Sequence, residues 1–188
     1  ASITSGSSFS CTSIDFTSTG LKNDLTRNAI ESVVWNLGGP ANYDEASNNL
    51  ASRSYGYERG TTVYSGHATN WTGKIGLMYP SDYGYATSGG STTDRATCLA
   101  KEMYKWNGSD VSDCYSNDYL IKTGYKQWTL VPYSSGANGV FVVRGNVDSH
   151  FASSIYYSVR PVAFLKSNIS ITDVGIGTAE SPFQLKVG

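Results

Sequence analysis

The chain has 188 residues and a formal net charge of −1, with 39% hydrophobic and only 15% charged residues. That length allows one domain with a proper core, and the near-zero charge gives nothing to draw it to nucleic acid or anionic lipid. No apolar run is long enough to span a bilayer, and few charges with many Thr, Ser, Tyr and Gly suggest an extracellular protein.

In chain order, the Ser/Thr-rich residues 1–19 read as a linker or as an edge strand through Phe9, Ile14 and Phe16. The chain opens at Ala1 in a polar stretch without a leader pattern, so a leader or anchor is expected to have been removed. Leu21, Leu25, Ala29, Ile30, Val33, Val34 and Leu37 recur with helical period, which predicts a helix over 21–37, stopped by Gly38-Gly39-Pro40. Arg27 and Glu31 would form a surface pair on it. A short helix over 44–52 is expected next. Tyr55, Tyr57, Val63 and Tyr64 then alternate as in a strand or loop, and Glu58 and Arg59 read as a solvated pair.

Ile75, Leu77 and Met78 form a short apolar strand that runs into Tyr79-Pro80-Ser81-Asp82. There Ser81 suits a helix N-cap and Asp82 a first turn. Cys98 and Cys114 are expected to form a disulfide in an oxidising compartment, worth about 3 kcal/mol for such a loop. Cys11 is left free, intermolecular or paired elsewhere. His67 and His150 lie too far apart in sequence to complete a zinc site, and neither lies near a cysteine as a base would, so no metal and no cofactor are expected.

Residues 127–166 carry the functional reading. Trp128, Leu130 and Val131 open the stretch as a strand, VFVV at 140–143 follows, and Val159, Val162, Phe164 and Leu165 close it. Between these lie Gly, Asn, Asp, Ser, His and Tyr, the residue types of adaptable binding surfaces. A Tyr-rich hairpin edge with a polar solvent face would have the same composition. Arg160, inside an apolar run, is expected to be at least half-buried and structural. Residues 167–188 read as a hairpin turned at Gly175 and Gly177.

The strand-to-helix step at 71–86, WTGKIGLMYPSDYGYA, resembles that of formylglycine-generating-enzyme-like proteins, a branch of the C-type lectin-like fold. The ordered series VVWNLGG, YERGTTVYSG, the 71–92 segment, the Cys98–Cys114 loop, QWTLVPYSS and VRPVAFLKSNISIT is similar to ectodomains of Gram-positive gut bacterial surface proteins. Those proteins usually carry a prepilin-type leader and helix. The resemblance implies an α+β, C-type lectin-like domain over residues 1–188, with short antiparallel strands, one or two helices and long loops. It implies display on the cell surface or a pilus, with a protein or glycan ligand and possible pilin-subunit partners.

Relatives of this kind include targets of diversity-generating retroelements, which vary a C-terminal segment. By that resemblance the ligand-contacting candidates are Tyr133, Asn138, Arg144, Asn146, Asp148, His150, Ser153, Tyr156 and Tyr157, set in a scaffold of Trp128, Val140, Phe141, Val159, Arg160 and Pro161. Alternation along the strand from Val143 to Asp148 would put Tyr133, Arg144, Asn146, Asp148, His150, Tyr156 and Tyr157 on one exposed face, with Trp128 and Phe164 anchoring the sheet behind. The calcium triplets of sugar-binding lectins are missing; Trp106-Asn107-Gly108 is a fragment of one. A structural minor pilin is the alternative. An oxidase related to the formylglycine branch would need reactive thiols, and no Cys follows Cys114, so the chain is not expected to be an enzyme.

Overall fold

In the computed structural model, residues 24–41, 49–106, 113–114, 120, 125–154, 157–178 and 180–188 are described. The expectations for residues 1–19, Cys11 and Tyr156 lie outside them. The described chain is α+β. In order it forms α1 (Asp24–Ala29), β1 (Val33–Asn36), α2 (Ala51–Glu58), β2 (Asn70–Gly73), β3 (Ile75–Leu77), α3 (Pro80–Tyr85) and α4 (Arg95–Leu99). A 3-10 turn at Met103–Lys105 follows. Then come β4 (Gln127–Pro132), β5 (Gly139–Val143), β6 (Val147–Phe151), β7 (Pro161–Ala163), β8 (Ile169–Ile171) and β9 (Leu185–Val187). β1 pairs with β2, β3 with β7, β8 with β9, and β4-β5-β6 form a three-stranded sheet.

The chain divides into two compact units. One takes the described part of Ala1–Val33 with Thr72–Ile75 and Ala163–Gly188; the other takes Val34–Trp71 and Gly76–Val162.

In the first unit the expected helix over 21–37 is corrected. α1 stops at Ala29, and the chain turns extended. Ile30 makes an antiparallel bridge to Leu165, and the Glu31 N–H donates to Phe164 O at 2.8 Å. Ile30, Val33 and Val34 are β-branched, which weakens helix and favours strand, and strand pairing was open to them. Lys74 Nζ donates to Arg27 O at 2.8 Å, satisfying a carbonyl of the last turn of α1. Arg27 pairs with Asp24 one turn back, where the sequence suggested Glu31. The 167–188 hairpin forms as expected: Ile169, Ser170 and Ile171 pair with Val187, Lys186 and Leu185, and Gly175 and Gly177 hold positive φ angles of 91° and 82° in the connection.

In the second unit the core gathers Trp35, Met78, Tyr83, Met103, Trp106, Val131, Phe141, Val142, Val143 and Val147. Gly76 is there for closeness: a Cβ on it would meet the Trp35 ring at 2.7 Å. Cys98 and Cys114 form the expected disulfide, with Cα atoms 5.4 Å apart, and both residues are fully buried. Asp113, beside it, accepts from Thr92 and from the Thr93 N–H at 2.9 Å. The Thr92 hydroxyl, with the Thr92 and Thr93 amides, holds the Asp113 carboxyl below its ordinary range.

Three local expectations are corrected here. The helix expected over 44–52 lies at 44–48 outside the described residues, and the helix over Ala51–Glu58 carries Tyr55 and Tyr57, which the sequence suggested for a strand or loop. Glu58 ends that helix 1% exposed, so it is no solvated partner of Arg59. Ser81 is not the cap of α3: Tyr79 holds that position, Pro80 opens the helix, and the Asp82 carboxylate reaches back to accept the Tyr79 N–H at 2.9 Å.

Candidate functional site

The three-stranded sheet has two unlike faces. Along β4 burial alternates, with Gln127, Thr129 and Val131 inside and Trp128, Leu130 and Pro132 half-exposed. β5 and β6 run antiparallel with Val142 opposite Asp148 and Val140 opposite His150. Trp128 lies opposite Val142. Residues directly opposite in an antiparallel pair project to the same side. One side therefore carries Phe141, Val143 and Val147, all buried, and the other carries Trp128, Asp148 and His150 around Val142, which is buried beneath them.

On that outer side five side chains converge. Lys126, just before β4, places its ammonium 2.9 Å from Asp148 Oδ2, and it also contacts His150 Nε2. His150 Nδ1 lies 2.7 Å from the Tyr157 hydroxyl. The Tyr157 ring packs edge-on against both Trp128 and His150, with centroids 4.8 Å apart in each case. Tyr157 is held there by its neighbour: the Ser158 N–H donates to Lys126 O at 2.8 Å, and the Trp128 N–H donates to Ser158 O at 3.0 Å. Lys126, Asp148 and His150 are each partly open to solvent, their side chains 18%, 31% and 31% exposed.

Hydrogen-bond roles follow from the donor inventory. An ammonium only donates, so in the neutral ring His150 Nε2 presents a lone pair to Lys126. In that tautomer the ring proton is on Nδ1 and is donated to the Tyr157 oxygen. Burial works against the Asp148 charge, but the Lys126 ammonium and the Ser149 N–H outweigh it and hold the Asp148 carboxyl below its usual range.

The sequence-expected residues separate on this frame. Asp148, His150 and Tyr157 come together. Arg144 is exposed in the tight β5–β6 turn, which Gly145 makes at φ 79° and the Arg144 N–H closes onto Asn146 O at 2.9 Å. Asn146 is half-buried and donates from its side chain to Tyr104 O at 3.0 Å, so it braces the turn. Asn138 and Ser153 are exposed at the opposite end of the sheet, where the Ala152 N–H donates to Asn138 O at 2.8 Å. Tyr133 is half-buried at that end too, its ring 4.8 Å from that of Phe141 on the inner side. Tyr156 is outside the described residues.

The anchors expected behind the face also shift. Trp128 stands on the outer side, as part of the constellation, and Phe164 is 52% exposed. Val159, expected as scaffold, is 47% exposed, while Arg160 is half-buried as expected. Lys126 is the residue the sequence reading missed. The available signal was parity: Lys126 and Trp128 are two apart at the start of a strand, so they share a side.

A second polar group lies in the same unit. Glu58 accepts the Ser81 N–H at 2.9 Å and the Ser81 hydroxyl. It borders a cavity lined also by Pro40, Asn49, Ser54, Pro80, Val131 and Phe141, with about 10 Å³ for the centre of a water. That is room for about one water, too little for a substrate. Burial pushes the Glu58 carboxyl up to about 7, against the Ser81 hydrogen bonds and Arg59, which lower it. Arg59 lies 3.6 Å from Glu58 and stacks over the Tyr55 ring at 3.8 Å. This group ties α2 to the start of α3. Among the described residues no three His, Cys, Asp or Glu side chains converge as metal ligands would.

No family model, no curated protein and no solved structure matches this chain.

Proposed function

We propose that this chain is an extracellular ligand-binding display module, C-type lectin-like in fold, carried on a cell surface or pilus. The ligand, a protein or a glycan, is met by the outer side of β4-β5-β6. The observation that supports the reading is the separation of duties within one sheet. Phe141, Val143 and Val147 are buried on the inner side, while Lys126, Trp128, Asp148, His150 and Tyr157 form a half-exposed constellation on the other. Such a face combines aromatic area, a cation, an anion and a titratable ring. The Cys98–Cys114 disulfide suits an oxidising exterior.

The test is a glycan and protein array with purified chain, repeated with a variant changed at Asp148, His150 and Tyr157. The variant should stay folded, its melting temperature within several degrees of the parent's for these half-exposed side chains, and lose or redirect binding. Binding that survives all three changes places the ligand site elsewhere. A reverse transcriptase gene next to this one, with a near-repeat of the codons for Val131 to Arg160, would support variation of the segment.

A further inference from the structure

We propose that protonation of His150 switches the outer face from a neutral surface to one that captures a carboxylate group, such as an acidic side chain of a protein ligand. The inference rests on reading this face as the ligand-contacting surface.

With His150 neutral, the Lys126 ammonium has two of its three N–H groups engaged. It donates to Asp148 Oδ2 at 2.9 Å and to the bare His150 Nε2. One cation meets one anion, so the cluster carries no net charge. The groups that face His150 among the described residues are Lys126 before β4, Asp148 on its own strand and Tyr157 after β6; opposite it on β5 stands Val140, which is apolar.

A proton added at Nε2 changes every contact of that nitrogen. Nε2 becomes a donor and turns on Lys126, another donor, so their hydrogen bond is lost. Asp148 Oδ2 is 3.6 Å from His150 Nε2 and 2.9 Å from Lys126 Nζ, so one carboxylate is then shared by two cations. One positive charge is left uncompensated at the surface. Nδ1 keeps its proton through the change, so the Tyr157 hydroxyl still accepts from it and keeps its own hydrogen to donate. A released ammonium N–H and a phenolic O–H beside an excess positive charge suit a carboxylate, which accepts from both.

The experiment uses the whole chain and two NMR readings. First, the imidazole ¹⁵N spectrum at ~pH 8 should show His150 as the Nδ1–H tautomer, assigned by its loss in His150→Gln. Second, sodium acetate is titrated as the carboxylate probe at ~pH 8 and ~pH 5.5, following Lys126 and His150 signals. Acetate should bind about two- to fivefold tighter at the lower pH, the range of one partly exposed ion pair. In His150→Gln this difference should vanish. An Nε2–H tautomer in the neutral ring, or equal acetate affinity at the two pH values, overturns the proposal. Both readings need no biological ligand, so a working switch alongside blank arrays would sink the display reading alone.

Discussion

Two carboxylates in the same unit are pushed in opposite directions. Glu58, at the junction of α2 and α3, is 1% exposed and its carboxyl is raised to about 7. Asp148, on the outer side of the sheet, is partly open and its carboxyl is lowered. Both have a cation near. The difference is where the cation stands and what else surrounds the group. Arg59 is 3.6 Å from Glu58, lies over Tyr55, and meets a carboxyl stripped of most water. Lys126 is 2.9 Å from Asp148, in a place that still exchanges with solvent. Burial wins in the first case and pairing in the second. A group buried on its proton is part of the scaffold, whereas a charged group held at the surface is available to a ligand.

The strongest way to break the comparison is Phe141→Ala. Phe141 lines the Glu58 cavity and lies on the side of the sheet away from Asp148. Denaturant unfolding should show a loss of about 3–5 kcal/mol. In the folded variant, water entering the enlarged cavity should bring the Glu58 titration down toward the ordinary carboxylate range, while that of Asp148 stays in place, both read by carboxyl ¹³C shifts.

Next in size is the pH profile of Glu58→Gln. A folded-state carboxyl raised to about 7 from 4.5 favours folding fully below the lower value, and that contribution disappears as pH rises through about 7. The parent chain should therefore lose on the order of 3 kcal/mol between about pH 5 and 8 from this group. The glutamine variant stays neutral and should be flatter over that window. Equal slopes would mean that Glu58 is ionised throughout.

Asp148→Asn tests the other arm. A depressed carboxyl gives stability above its unfolded value and loses it as pH falls through the folded one. The variant should lose up to about 1 kcal/mol near neutrality, and the difference from the parent should disappear in acid. A uniform offset at all pH values would assign Asp148 a packing role. Smallest of all, Arg144→Ala in the exposed turn should stay within about 0.5 kcal/mol by thermal unfolding.

How legible was this in advance? The disulfide, the 167–188 hairpin and the strands at 127–132 and 139–143 could be read from cysteine usage, turn glycines and alternation. The helix over 21–37 could not, because a period of 3.6 records apolar spacing and not what Ile30 finds to bridge, here Leu165. For the candidate site, Asp148, His150 and Tyr157 were legible as polar and aromatic residues around an alternating strand. Lys126 was not, since its place depends on how residue 158 returns beside residue 127. Tyr133 had the right chemistry for display, but its ring rests on Phe141. Glu58 looked like any helix-end acid beside an arginine until Ser81 was seen to point its N–H at it. Long-range pairing decided each of these, and composition carries no record of it.

The short parallel bridge between Gln127 and Ser158 has a consequence for length. At one end the Ala152 N–H is fixed to Asn138 O, and at the other the Ser158 N–H is fixed to Lys126 O. Residues 152 and 158 are thus each fixed through backbone contacts that no side chain supplies. Closing a longer segment adds only about 0.6 kcal/mol for each doubling of its residues. Insertions between those points should therefore be nearly free for the sheet, so this edge can accept segments of different reach as readily as segments of different composition.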